Sequence, residues 1–283
     1  MINMLKMDFY RMFRTRSMYV IWVIMATVII MLTALAGKEY NQEDEMTSAQ
    51  QEEITNMDTS AENVNIGMSV VMPTEEGNNI TVFDAVYANT QAKFTALFLV
   101  IFAVIFSTAD INSGYIKNIG GQVSNRWQLI LSRAGVLLVF TVLSMLISVA
   151  SQALGNWIFL GEFEWGNKGD FLRYIGVQVL LHYAFVIICM TIAILLKNNV
   201  FSIIIVICLC MNLMVILYSL VDKVVAKLGF TEFHLLEYTV TGKITFLSMT
   251  PDNSACLSAV AVALLFTIIM TATASIVFEK RDI

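Results

Sequence analysis

The residues that could do chemistry in this chain are few. His182 and His234 are its two histidines, and they fall on different segments. Gly242-Lys243 is followed by Ile244 and lacks the upstream glycine of a P-loop, and neither an HExxH nor a GxSxG motif occurs. The apolar stretches hold no cluster of His, Cys and carboxylates at metal-ligand spacing. We therefore expect no enzymatic activity, no metal and no cofactor on this chain.

Polar residues inside the apolar stretches form two pairs at helical spacing. Gln152 with Asn156, and Gln178 with His182, are each separated by four positions, so each pair shares one helix face. Two interpretations remain open for them and for Asn212: hydrogen bonds between helices, or the polar lining of a substrate path. Proton or sodium coupling usually needs ionisable groups near the middle of the bilayer, and the apolar stretches offer one histidine. We therefore expect energy for any transport to come from outside the bilayer.

The composition is that of a membrane protein. Of 283 residues, 58% are apolar and 14% are charged, against about 45–50% and about 25% in soluble domains. A membrane-spanning helix needs about 20 mainly apolar residues, and the apolar runs do not alternate as barrel strands would. We predict an all-α integral membrane protein with six transmembrane helices at residues 17–36, 87–109, 134–160, 174–196, 198–221 and 255–278.

The distribution of Lys and Arg predicts the orientation. The segments before residue 17, at 110–133, at 197 and at 279–282 together hold ten basic and four acidic residues, whereas the other connections hold seven basic and 18 acidic residues. We expect a multi-pass protein of the plasma membrane with both termini in the cytoplasm and the loop 37–86 outside. The sequence Ala34-Leu35-Ala36 also fits a cleavable signal, but the apolar run before it is long and favours a retained span.

Three segments outside the spans carry distinct patterns. Residues 1–16 suit an amphipathic helix on the membrane surface, or simply a positively charged flank of the domain 17–283. Residues 110–126 predict a short helical elbow in the cytoplasm, broken at Gly120-Gly121. Residues 222–254 are moderately apolar and predict a segment that dips partway into the outer leaflet.

In this order of elements the chain resembles the ATP-binding-cassette type-2 permeases, the membrane subunits of ABC exporters. The resemblance rests on the basic N-terminal run 8–14, on the elbow with Asp110, Gly114 and Lys117, and on the ending 278–282. It covers the whole chain through loose motifs. Asp110 stands where the family often has Glu, and Val123 stands where it often has Pro.

The resemblance implies a dimer that binds two copies of a cytosolic ABC ATPase, with ATP and Mg on that partner. A second copy of this or a related permease, the lipid bilayer and an amphipathic peptide would be the other partners, and no nucleic acid is expected. The elbow would be a coupling helix that contacts the ATPase, and the N-terminal helix would flank it. The residues implied in coupling are Asp110, Asn112, Gly114, Tyr115, Lys117, Asn118 and Arg126, and those of the N-terminal elbow are Lys6, Phe9, Arg11 and Arg14.

The enlarged outer loop resembles that of permeases for antimicrobial or toxin peptides, including lantibiotics. We therefore expect ATP-driven export of an amphipathic or hydrophobic substrate. Two other functions stay open from the sequence. One is a membrane-anchored sensor or assembly factor whose outer loop binds a ligand or partner, and the other is a secondary transporter.

Overall fold

The computed structural model describes residues 2–43, 68, 73–74, 79–112, 126–161, 163–227 and 234–280, with backbone only for 37–43 and 110–112. Every regular element in these ranges is helical, which confirms the all-α class. The helices are α1 (Ile2–Arg14), α2 (Arg16–Glu43), α3 (Val82–Gln91), α4 (Phe94–Asn112), α5 (Trp127–Phe159), α6 (Lys168–Leu196), α7 (Asn199–Cys210), α8 (Val215–Lys227), α9 (Val240–Phe246) and α10 (Asn253–Glu279), with a 3-10 turn at Leu235–Tyr238.

Four of these helices, α2, α5, α6 and α10, are long and apolar enough to cross a membrane. Two further spans arise if α3 with α4, and α7 with α8, each form one bent crossing. The two pairs bend by 53° and 65° across short breaks. The described part of the chain is therefore a multi-pass membrane protein with four to six spanning elements.

Side-chain caps fix where several helices begin. Thr81 and Asp84 form a capping box at α3: the Asp84 amide donates to the Thr81 hydroxyl, and the Thr81 amide donates to the Asp84 carboxylate. The Asn198 side-chain oxygen accepts from the first amides of α7, directly after Lys197 ends α6 in the left-handed conformation. Such a cap is worth about 1 kcal/mol.

Helix α6 is the centre of the bundle, because it packs against α4, α5, α7, α9 and α10. The buried apolar side chains form two clusters. One lies towards α1 and includes the stacked rings of Phe102 and Phe140, whose centroids are 4.0 Å apart. The other lies towards the beginnings of α3 and α6, where Phe83 contacts Tyr174. We call the two ends of the bundle the α1 end and the opposite end.

Several helices extend beyond their predicted bounds: α2 continues to Glu43, α5 begins at Trp127 and α6 begins at Lys168. Two further differences concern the second and fifth apolar stretches. The second apolar stretch is predicted to begin at residue 87, but α3 begins at Val82, at the capping box, and Lys93 lies buried between α3 and α4. The fifth stretch breaks at residues 211–214, and its second half continues to Lys227. The described parts of segment 222–254 form the end of α8, the 3-10 turn and α9, which packs into the bundle.

Candidate functional site

A cluster of charged and aromatic side chains joins α1 to the ends of three other helices. We call it the α1 junction and define it by Asp8, Arg11, Phe106, Ser132 and Arg133. The Asp8 side chain is buried, the Ser132 hydroxyl donates to its carboxylate over 2.5 Å, and Arg11 lies 3.7 Å from it. Since buried carboxylates need such partners, Asp8 fixes α1 against α5.

The arginines of the α1 junction extend it to α4 and α10. The Arg11 guanidinium lies 4.6 Å from the ring centroid of Phe106 and donates to the Phe106 carbonyl over 3.4 Å. Arg133 is buried, donates to the Ser107 carbonyl over 3.0 Å, and faces the ring of Phe278. Helices α4 and α5 flank residues 113–125, so α1 is bonded to both helices from which that segment extends.

The residues predicted for coupling differ in burial and in whether the structure describes them. Of the N-terminal four, Arg11 belongs to the α1 junction, Phe9 is half-buried, and Lys6 and Arg14 are exposed, with Arg14 bonded to the Tyr10 hydroxyl. Arg126 is half-buried directly before α5. For Asp110 and Asn112 the structure describes the backbone, at the end of α4, and the remaining predicted residues lie outside the described ranges: Gly114, Tyr115, Lys117 and Asn118.

The Gln152–Asn156 pair lies in a network that connects α2, α3 and α5. The Gln152 amide nitrogen donates to Thr33 over 2.8 Å and to Asn156 over 2.9 Å, and the Gln152 oxygen accepts from Asn89 over 2.6 Å. Asn156 donates to the Ile80 carbonyl. All four side chains of this network are buried. This geometry favours interhelical hydrogen bonding for the pair over the lining of a path.

The Gln178–His182 pair connects α6 to α9 instead. The Gln178 amide nitrogen donates to the Tyr174 hydroxyl and to the Ile244 carbonyl, both over 3.1 Å. The Nδ1 atom of His182 lies 2.8 Å from the backbone carbonyl oxygen of Gln178. Because a carbonyl oxygen can only accept a hydrogen bond, Nδ1 is the donor. The two predicted pairs are not hydrogen-bonded to each other: the first bonds to α2 and α3, and the second bonds to α9.

The two bent helix pairs meet at their breaks. Lys93, between α3 and α4, and Asn212, between α7 and α8, both have left-handed backbone conformations with φ of 60° and 56°. The Lys93 ammonium donates to the Asn212 side-chain oxygen. Lys93 is fully buried, as are Gln178 and His182 on α6, the helix that packs against both α4 and α7. We call Lys93, Gln178, His182 and Asn212 the polar centre.

Lys93 is the residue of the polar centre that the sequence analysis missed. A hydropathy reading treats a lysine as the limit of a span, and Lys93 stands at the start of an uncharged run. Breaks in helices usually follow Pro or Gly, and neither occurs at residues 91–94 or 211–214. Asn212 was the available signal, since Asn adopts the left-handed conformation more readily than most residues.

A comparison with curated proteins found no match. Residues 54–283 match the family described as "Protein of unknown function (DUF2705)". This match covers most of the chain, including α3 to α10 and thus the whole polar centre. The chain therefore belongs to the DUF2705 family.

Proposed function

We propose that this chain is the transmembrane permease subunit of an ABC exporter. In this proposal both bent pairs cross the bilayer, which gives six spans, and the α1 end faces the cytoplasm. A separate cytosolic ATPase binds residues 110–126 and drives export of an amphipathic or hydrophobic substrate such as an antimicrobial or toxin peptide. The permease acts as a dimer with two ATPase copies in the plasma membrane.

The α1 junction is the observation that carries the proposal. A coupling segment transmits force only if the helices on either side of it move with it. Ser132 and Arg133, near the start of α5, bond to α1 and to α4 respectively, and Arg11 bonds to α4. A push on residues 113–125 would therefore move α1, α4 and α5 as one body, which suits a subunit driven by a partner.

Co-purification tests the proposal. The tagged full-length chain, extracted in mild detergent, should retain a P-loop ATPase, and charge reversal at Lys117 or Arg126 should weaken that complex. Lys168→Glu is the matched control, because Lys168 is exposed at the opposite end of the bundle. Absence of an ATPase from the wild-type complex, or equal retention by all variants, would contradict the proposal.

The buried Lys93 favours a second candidate, a secondary transporter. One histidine within the predicted spans is too few ionisable groups for ion coupling, but in the structure a lysine also lies buried where two broken helices meet. Discontinuous helices that meet midway across the bilayer are a feature of such transporters. Uptake into proteoliposomes driven by a proton gradient without ATP would support this candidate and count against the ABC exporter.

A further inference from the structure

The polar centre lies midway along three helical elements. His182 is the middle residue of α6, with fourteen residues on either side. Asn212 follows the 12-residue α7 and precedes the 13-residue α8, and Lys93 stands between the 10-residue α3 and the 19-residue α4. At about 1.5 Å per residue, these three positions lie far from either end of the bundle. Polar groups at such depth are expensive and usually functional.

Among the described residues, the partner of Lys93 is a neutral group and not an anion. The Lys93 side chain is fully buried, and its hydrogen-bond acceptor is the neutral amide of Asn212. In the part of the chain that the structure describes, no carboxylate lies within ion-pair distance of Lys93. An ammonium group in a low-dielectric interior is unfavourable without a negative charge beside it. The site is thus complementary to an anion that the described chain does not supply.

Two further buried atoms of the polar centre lack hydrogen-bond partners in the described part of the chain. The Nδ1 bond to Gln178 fixes the His182 ring, and within the described ranges neither its Nε2 atom nor the Gln178 side-chain oxygen is hydrogen-bonded. In the neutral ring, Nε2 accepts a hydrogen bond from a carboxylic acid. In the protonated ring, Nε2 donates a hydrogen bond to a carboxylate. A carboxylate therefore complements Lys93, and it complements His182 as well when the histidine ring is protonated.

The side chain that pairs with Lys93 is also the one that a ligand would meet first. Asn212 is half-buried, and its neighbours Met211 and Leu213 are exposed on the apolar surface of the bundle. Its break lacks the continuous hydrogen bonds of a helix interior, so this segment can move at lower cost than α6. Displacement of Asn212 would open Lys93 to a molecule arriving from the apolar surface.

We propose that Lys93 binds the carboxylate of an amphipathic substrate, which replaces the Asn212 amide oxygen. This proposal rests on the transport function proposed above and names the chemical class of the substrate. The apolar body of the ligand lies among the surrounding apolar side chains, and its carboxylate accepts hydrogen bonds from Lys93 and from the Nε2 atom of the protonated His182 ring. Asn212 holds the ammonium group between binding events and leaves it when the ligand enters.

Equilibrium binding tests this assignment without ATP or a partner. Radiolabelled dodecanoate is the probe, bound to the full-length chain in phosphatidylcholine nanodiscs, with empty nanodiscs subtracted. We expect saturable binding that Lys93→Met weakens by about tenfold or more, because it removes a charge-assisted hydrogen bond. Lys223→Met, an exposed lysine on α8, is the matched control and should bind like the wild type. Thermal unfolding of each variant reports whether it is folded.

Asn212→Gly separates a binding role from a structural one. Glycine keeps the left-handed backbone and removes the amide that competes with the ligand, so this variant should bind as well as the wild type or better. Equal binding by wild type and folded Lys93→Met, or an equal loss in Asn212→Gly, would overturn the proposal. So would competition by dodecanol or chloride as strong as that by unlabelled dodecanoate. An ATPase missing from the co-purification leaves this result unaffected, so the two proposals fail separately.

Discussion

At the scale of single residues, Gly242 is a position at which the described fold has no room for a side chain. A Cβ atom there would lie 1.9 Å from the Leu236 carbonyl oxygen, a backbone atom that cannot move away without shifting the 3-10 turn. Gly242→Ala should therefore displace α9 from the 3-10 turn and destabilise the protein by about 1–3 kcal/mol. The thermal midpoint in detergent measures the effect.

Gly176→Ala is the control for Gly242→Ala. Gly176 lies in the interior of α6, and a Cβ atom there meets nothing within 4 Å. This substitution should stabilise the helix by about 0.5–1 kcal/mol. Equal midpoints for the two alanine variants would show that the close approach at Gly242 does not constrain the fold.

Asp252 caps the start of α10 and should make the stability of the protein depend on pH. Hydrogen bonds from the Ala255 amide and the Ser254 hydroxyl lower the pKa of this carboxyl below its usual value. A lowered folded-state pKa stabilises the protein above the unfolded-state value, near 3.8, and this contribution is lost as the pH falls through the folded-state value. Asp252→Asn should therefore lose less stability than the wild type below about pH 4. Thermal midpoints measured from pH 7 to about pH 3 compare the two proteins, and parallel curves would contradict this role.

At the scale of helices, α1 depends on Asp8 for its position. Asp8→Ala removes the acceptor of the Ser132 hydroxyl and the anion beside Arg11. Loss of a buried charged hydrogen-bond partner costs about 1–3 kcal/mol, and here the cost should fall on the docking of α1. Hydrogen exchange of the α1 amides should accelerate, whereas Lys6→Ala, at an exposed position, should leave it unchanged. Unchanged exchange in Asp8→Ala would show that α1 is held by its apolar contacts alone.

Hydropathy predicts the helices that run without a break, but it does not predict where a helix breaks. The predicted spans 134–160, 174–196 and 255–278 fall within or closely match α5, α6 and α10, because long uncharged runs have one stable conformation in lipid. The breaks beside Lys93 and Asn212 depend on left-handed backbone conformations, and no Pro or Gly marks these positions in the sequence. For the same reason the polar centre could be predicted only in part: His182, Gln178 and Asn212 are visible as polar residues in apolar runs, but their meeting with Lys93 depends on the packing of three helices.

At the scale of the whole molecule, the two bent pairs decide how many times the chain crosses the membrane. If both pairs cross, residues 113–125 lie on the same side as α1, and the connection before α6 lies on the other side. If both pairs entered and returned on one side, these two positions would exchange sides, and the end of α4 and the start of α5 could not meet α1 as they do at the α1 junction. The last residues of α10 lie on the side of α1 in either case. The side of two connections therefore distinguishes six spans from four.

Cysteine labelling on intact cells makes this distinction. The four native cysteines are first replaced by serine or alanine, and single cysteines are introduced as Lys6→Cys, Arg126→Cys or Lys168→Cys. With six spans and α1 in the cytoplasm, a membrane-impermeant maleimide should label Lys168→Cys alone, and permeabilised cells should label all three. Labelling of Arg126→Cys but not Lys168→Cys in intact cells would establish four spans. It would place residues 113–125 outside the cell, where no cytosolic ATPase could bind them, and would exclude the proposed ABC exporter.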